Sequence, residues 1–174
     1  MDAARERARS VKLMAFDVDG VLTDGALYLA DSGEEWKRFH TLDGLGLKLL
    51  AGAGVELALV TGRSSRVVAK RAAELGIAHL FQGVEDKLAA LEQLRARLGL
   101  AMSACGYMGD DLPDLPLLVR CGFAATVPDA PEAVRARAHY VSRLPGGGGA
   151  VREVCEVILA AQGALGRAHA RYLA

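Results

Sequence analysis

Aromatic side chains make up only 5% of this 174-residue sequence, too few for a base-stacking surface that would hold single-stranded nucleic acid. Neither sign of charge dominates: 21 Lys+Arg balance 21 Asp+Glu, so no global field draws the chain to nucleic acid or to an anionic membrane. Cysteine is scarce and odd in number. Cys105, Cys121 and Cys155 show no metal-ligand spacing and read as reduced, mostly buried thiols of a cytosolic protein. No apolar run reaches membrane length, since LKLLAGAGVELALV is short and interrupted by Glu56. The opening MDAARERARSV is charged and has no apolar segment behind it, which argues against a signal peptide. There is no internal repeat. The glycine run 146–149 is no Walker loop, because no Lys-Ser/Thr follows it, and it reads instead as a flexible connector or a mobile lid.

Apolar content is ample. Hydrophobic residues form 52% of the chain, enough for one real core and a single domain over 1–174. Short apolar runs alternate with helical patterns, the signature of βα units around a mostly parallel sheet. Strands are predicted at 12–16, 55–60, 79–83, 103–108, 123–127 and 140–142. Helices are predicted at 43–54, 64–76, 87–99, 112–121, 131–138 and after the glycine run, followed by a weakly determined tail over about 164–174. The stretch 26–39 differs in kind. Two short runs flank Asp31-Ser32-Gly33 and predict a β-hairpin inserted after the first strand. Its Leu27, Leu29, Trp36 and Phe39 suit either a second subunit or the chain's own core, with equal weight.

The chemistry gathers at the predicted strand ends, where open α/β sheets form their sites. Asp17-x-Asp19 follows the first strand, Thr61-Gly62-Arg63 the next, Lys87 opens a helix after QGVED, and Gly109-Asp110-Asp111 with Asp114 follows the strand containing Cys105. A carboxylate at a strand exit can attack phosphorus, and a second one two residues on can protonate the leaving oxygen and later deprotonate water. Carboxylates around a phosphate call for a hard divalent cation such as Mg²⁺. A hydroxyl and an ammonium, Thr61 and Lys87, can then hold the phosphoryl oxygens. Asp110 completes the metal site, and Asp111 or Asp114 can orient Lys87 or a metal-bound water. Taken singly, each cluster except the first reads more simply as a solvated turn, a helix cap or surface charge. Four of them in this order make that simpler reading a poor one.

FDVDGVLTDG, VTGRSS, Lys87 and YMGDDLPDLPLL together resemble the four motifs of the phosphatase branch of the haloacid dehalogenase superfamily, across nearly the whole chain. The hairpin, RFHTLDGLGLKLL, FQGVEDK and GGGGAVREVCEVILAAQG narrow the resemblance to members that act on an acidic eight-carbon sugar phosphate of lipopolysaccharide synthesis. The resemblance implies a three-layer Rossmann-like sheet and a cytoplasmic, Mg²⁺-dependent phosphatase. No insertion between the motifs is long enough to fold as a large cap domain. By the same resemblance Asp17 is the nucleophile and a metal ligand, Asp19 the general acid/base and a ligand through its carbonyl, and Asp110 the third ligand. Contacts to the sugar acid would come from positions matching His40, Thr41, Asp43, Gly44, Lys48, Arg63 and Arg71. It also implies a homotetramer in which hairpins meet and a neighbour closes each site. Three positions depart from the pattern: His40 replaces Asn, Lys48 replaces Arg and loses its bidentate fork, and Gly148 stands where a charged residue is common. Competing readings are a phosphatase of a nine-carbon sialic-type 9-phosphate, against which Arg63 argues, a receiver-like signalling domain, and a catalytically inactive assembly domain.

Overall fold

A computed structural model describes residues 2–173; Met1 and Ala174, the ends of the predicted domain and tail, lie outside the described residues. The chain runs α1 (Asp2–Arg9), β1 (Leu13–Phe16), β2 (Tyr28–Leu29), β3 (Glu35–Trp36), α2 (Thr41–Gly52), β4 (Glu56–Val60), α3 (Arg66–Leu75), β5 (His79–Phe81) and α4 (Lys87–Arg97). It continues through β6 (Cys105–Met108), α5 (Leu115–Leu118), β7 (Phe123–Thr126), α6 (Glu132–Arg135), β8 (Tyr140–Val141), α7 (Ala150–Ala161) and α8 (Leu165–Ala170). Six strands form one parallel sheet in the order β5-β4-β1-β6-β7-β8, and β2 pairs with β3 in a separate antiparallel hairpin.

The central strands β1, β6 and β7 are buried at every residue, as continuous apolar runs must be when helices cover both faces of a parallel sheet. The helix layers follow from handedness. The chain steps from β1 out to β4 and β5, then returns across the sheet to β6, β7 and β8. Right-handed crossovers in opposite directions put their helices on opposite faces. α2 packs on α7 and α3, and α7 on α1, while α4 packs on α5. The result is the three-layer α/β architecture that the motifs implied, with a hairpin after β1 and no large cap.

Local chemistry places the boundaries. Ser65 caps α3 by accepting from Val68 N at 3.4 Å, and Gly76 ends it at φ 72°. Asp86 caps α4 by accepting from Ala89 N at 2.9 Å. α2 begins at Thr41, two residues before the predicted start, because the ring of His40 accepts from Leu42 N at 3.2 Å and serves as its cap. The helix predicted over 112–121 is instead a 3-10 turn, Leu112–Asp114, followed by the short α5; Pro113 and Pro116 each remove a backbone donor there. α1 went unread in the sequence because its buried stripe, Ala4 and Ala8, carries so little apolar signal among charges. Gln162 Nε2 helps hold this end by donating to Val11 O at 2.8 Å.

The structure bears on two open readings. The hairpin splits its apolar residues: Leu29 and Trp36 are each 67% exposed, whereas Phe39 packs on the main core. The glycine run lies in the connection from β8 to α7 and is packed rather than free. Gly147 N donates to Val21 O at 3.0 Å, and a Cβ on Gly146 would lie 1.9 Å from Gly20 O, so the run is wedged against the loop after β1.

Candidate active site

Register brings the polar clusters together. Phe16 pairs with Leu59 on one side and Met108 on the other, so β1, β4 and β6 end side by side. The chain reverses its direction across the sheet at β1 and β6, which opens a crevice at their carboxyl ends. A cavity of about 400 Å³ lies there, lined among others by Asp17, Asp19, Thr61, Arg63, Lys87 and Asp110.

The floor is a buried polar network. Asp17 Oδ1 accepts from Val18 N at 2.7 Å, and its Oδ2 lies 2.8 Å from Lys87 Nζ. The same ammonium donates to Asp114 Oδ1 at 2.7 Å. Asp114 is fully buried and its oxygens are fully used. Oδ1 also accepts from Tyr107 Oη at 2.6 Å, and Oδ2 accepts from Asp110 N at 3.0 Å and Asp111 N at 3.1 Å. With four donors on about four lone-pair sites, Asp114 is a hub that aims Lys87 and shapes the loop, and it has no oxygen to spare for a cation. Asp111 accepts from Leu112 N at 2.8 Å as a helix cap, and its side chain sits in solvent.

Electrostatics mark where charge is missing. Burial, and then the neighbouring Asp114 charge, push Asp17 up to about 6, against the pull of Lys87. Burial, with the charges of Asp17 and Asp114, pushes Asp110 up to about 7. Asp110 Oδ1 is buried without a hydrogen-bond partner. Carboxylate oxygens of Asp17, Asp110 and Asp114 lie within 4.8 Å of one another. An orphaned oxygen beside a second carboxylate, with no sulfur or imidazole in the group, suits a hard divalent cation. Burial holds the Tyr107 phenol well above its usual value, so it stays a donor to Asp114.

Thr61 is buried at the end of β4, and its Oγ1 accepts from Arg63 N at 3.3 Å. That leaves the single hydroxyl hydrogen for an incoming oxygen. Asp19 stands above Asp17 with Oδ1 bonded to the Lys37 ammonium and Oδ2 3.8 Å from Arg63 Nε. Lys37, Glu35 and Tyr107 were not singled out in the sequence. The strand alternation Glu35-Trp36-Lys37 was the available signal, since it sets two polar side chains on the face opposite Trp36.

The positions matched to sugar contacts behave differently. Of these, Arg63 lines the cavity, but His40, Thr41, Asp43, Gly44, Lys48 and Arg71 do not. Asp43 is buried and accepts from Gly149 N at 3.3 Å and Arg152 N at 2.8 Å, so within this chain it ties α2 to the start of α7. A Cβ on Gly44 would lie 2.4 Å from Arg71 Nη2, and the Arg71 guanidinium sits 5.8 Å from the centroid of the Phe39 ring. Thr41 and Lys48 are exposed on α2.

Comparison with known proteins fits this geometry. A family model described as haloacid dehalogenase-like hydrolase matches residues 80–151. The chain is similar to 3-deoxy-D-manno-octulosonate 8-phosphate phosphatase of Escherichia coli, 44% identical over 93% of this chain and 86% of that protein. It is similar in structure to the phosphatase of that name from Moraxella catarrhalis, in complex with a magnesium ion, a phosphate ion and a KDO molecule, at 47% identity and TM-score 0.97 over 99% of each chain. It also resembles a probable YrbI family phosphatase of Pseudomonas syringae, 50% identical with TM-score 0.98 over 100% of this chain and 99% of that one. The carboxylates at the ends of β1 and β6, the threonine after β4 and the lysine opening α4 therefore sit in a chain that belongs to the haloacid dehalogenase-like hydrolases, within the family of 3-deoxy-D-manno-octulosonate 8-phosphate phosphatases.

Proposed function

We propose that the protein hydrolyses 3-deoxy-D-manno-octulosonate 8-phosphate to the free sugar acid and inorganic phosphate, with Mg²⁺ as cofactor. The observation that carries this is the buried Asp17 carboxylate beside Lys87 and Asp110 on the floor of an open cavity, in a chain so similar to phosphatases of that ester. Asp17 attacks phosphorus, and an oxygen–phosphorus bond to Asp17 forms as the ester P–O bond breaks. Asp19 gives its proton to the departing sugar oxygen. It then takes a proton from the water that attacks the aspartyl-phosphate, and Asp17 leaves as a carboxylate. Lys87 and Thr61 hold the phosphoryl oxygens, and Asp114, with Tyr107 behind it, aims Lys87. Asp17, Asp110 and the Asp19 carbonyl would hold the ion, which when bound neutralises charge on the phosphate.

One six-stranded sheet and one core support a single domain. We also infer assembly into a homotetramer, in which the exposed Thr41 and Lys48 would face a neighbour's cavity while the buried Asp43 and Gly44 would shape α2 from within. The exposed Leu27, Tyr28, Leu29 and Trp36 support that reading. Among the described residues no helix is long and apolar enough to cross a membrane.

A phosphate-release assay over acidic sugar phosphates, with and without Mg²⁺, tests the proposal. The eight-carbon ester should give the highest kcat/KM and chelation should abolish it. A higher kcat/KM on a nine-carbon 9-phosphate would overturn the substrate assignment.

A further inference from the structure

Asp19 is held from outside the sheet. Its Oδ1 is bonded to the ammonium of Lys37, which follows β3 of the hairpin and whose side chain is only 1% exposed. Lys37 Nζ also lies 3.3 Å from Glu35 Oε1. Arg63 Nη2 reaches the same Glu35 oxygen at 3.4 Å, while its Nε lies 3.8 Å from Asp19 Oδ2. One residue away on the strand, Trp36 is 67% exposed.

This contrast needs a reason. Lysine is almost never fully buried unless paired, and desolvating an ammonium is costly. A hairpin of two-residue strands is marginal on its own and gains more from apolar contacts than from a buried charge. Here the buried charge is spent on the one carboxylate that must stand at a set angle to the leaving oxygen. A carboxylate on a loop end, without such a partner, would sample several rotamers. Lys37 engages Oδ1 and leaves Oδ2 with only the longer contact to Arg63. We propose that Lys37 is a positioning residue for Asp19, holding Oδ1 so that Oδ2 meets the leaving-group oxygen, and that Glu35 holds Lys37 in turn. Proton transfer thereby depends on the placement of the hairpin. This rests on the assignment of Asp19 as the general acid in the proposed function.

The test compares two leaving groups. Departure of a sugar alkoxide needs a proton, whereas p-nitrophenolate leaves without one, so loss of an aligned acid penalises the first ester far more. For Lys37→Met, kcat/KM on 3-deoxy-D-manno-octulosonate 8-phosphate should fall about 30-fold, less than the roughly 10²–10⁴-fold that a whole general acid supplies, because the acid is misaligned and not removed. Most of that loss should be in kcat rather than KM. On p-nitrophenyl phosphate the fall should be under about threefold, and Lys37→Arg should recover much of the loss on the sugar ester. In an Asp19→Asn background the Lys37→Met change should cost under about threefold on the sugar ester, because groups acting as a unit are not additive. Equal losses on the two esters, a loss confined to KM, or full additivity with Asp19→Asn would overturn the proposal. If Lys37→Met fails to fold, the same ratio measured on Glu35→Gln decides, with a loss that ignores the leaving group counting against it. Wild-type turnover in the same assay reports on the proposed function, and the ratio of losses reports on Lys37.

Discussion

The carboxyl edge of the sheet, where the strands end, and the hairpin hold the proposed catalytic groups in opposite ways. At the edge, Asp17, Lys87, Asp114 and Tyr107 are buried and bonded to one another, with backbone donors completing the set. In the hairpin, Leu29 and Trp36 face solvent and one buried ammonium ties the strand pair to Asp19. The difference matches the two jobs. Phosphoryl transfer needs a nucleophile and charge held within a fraction of an ångström, which a close-packed interior supplies. Admission and release of a sugar need a wall that is less tightly held, and an exposed apolar hairpin suits that role.

The largest expected effect sharpens the edge side of that contrast. Asp17→Asn keeps the shape and removes the attacking charge, so kcat should fall about 10⁴-fold or more in a phosphate-release assay. Asp114→Ala should come next. It strands the buried Tyr107 hydroxyl and leaves the Lys87 ammonium with Asp17 alone, and breaking a buried pair costs about 3–5 kcal/mol, readable by urea unfolding. Tyr107→Phe should cost less, about 1–2 kcal/mol, because it removes one of the four donors to Asp114.

Metal dependence should carry a pH signature. Asp17 and Asp110, raised to about 6 and about 7, bind protons more tightly folded than unfolded. Without the ion, their contribution to stability is greatest below the ordinary carboxylate range near pH 4 and is lost as pH climbs through about 7. Mg²⁺ competes for the same oxygens, so it should raise Tm more at pH 8 than at pH 5. Asp110→Asn should flatten that difference, and an equal rise at both pH values would contradict the assignment of these two carboxylates. The smallest effect belongs to the hairpin. Trp36→Ser should change the unfolding free energy of the isolated chain by less than about 0.5 kcal/mol while weakening self-association in sedimentation. A loss of stability as large as that of Asp114→Ala would erase the distinction between the two regions.

Much of this was legible in residue order. Apolar runs of strand length separated by helical periods place the sheet, and Asp17, Asp19, Thr61, Lys87 and Asp110 stand at the ends of those runs because parallel βα units deliver every loop to one side. In α4 the leucine spacing turns one face to the core: Leu91 and Leu94 are fully buried, and Leu88 and Leu98 partly so. α1 escaped because alanine packs well and advertises little. The truncation of the helix after Asp111 escaped because two prolines can either start a helix or shorten it.

The chain's order of residues by itself determined the layer architecture and the five polar positions at the strand ends, since periodicity and topology act through local spacing. Only the tertiary structure decided how those groups divide their hydrogen bonds. It made Asp114 a saturated hub, left Asp110 Oδ1 unpartnered, packed the glycine run against the loop after β1, and brought Lys37 to Asp19. The reason is that lone pairs are few and directional, and which donor fills each one depends on contacts between segments far apart in the chain.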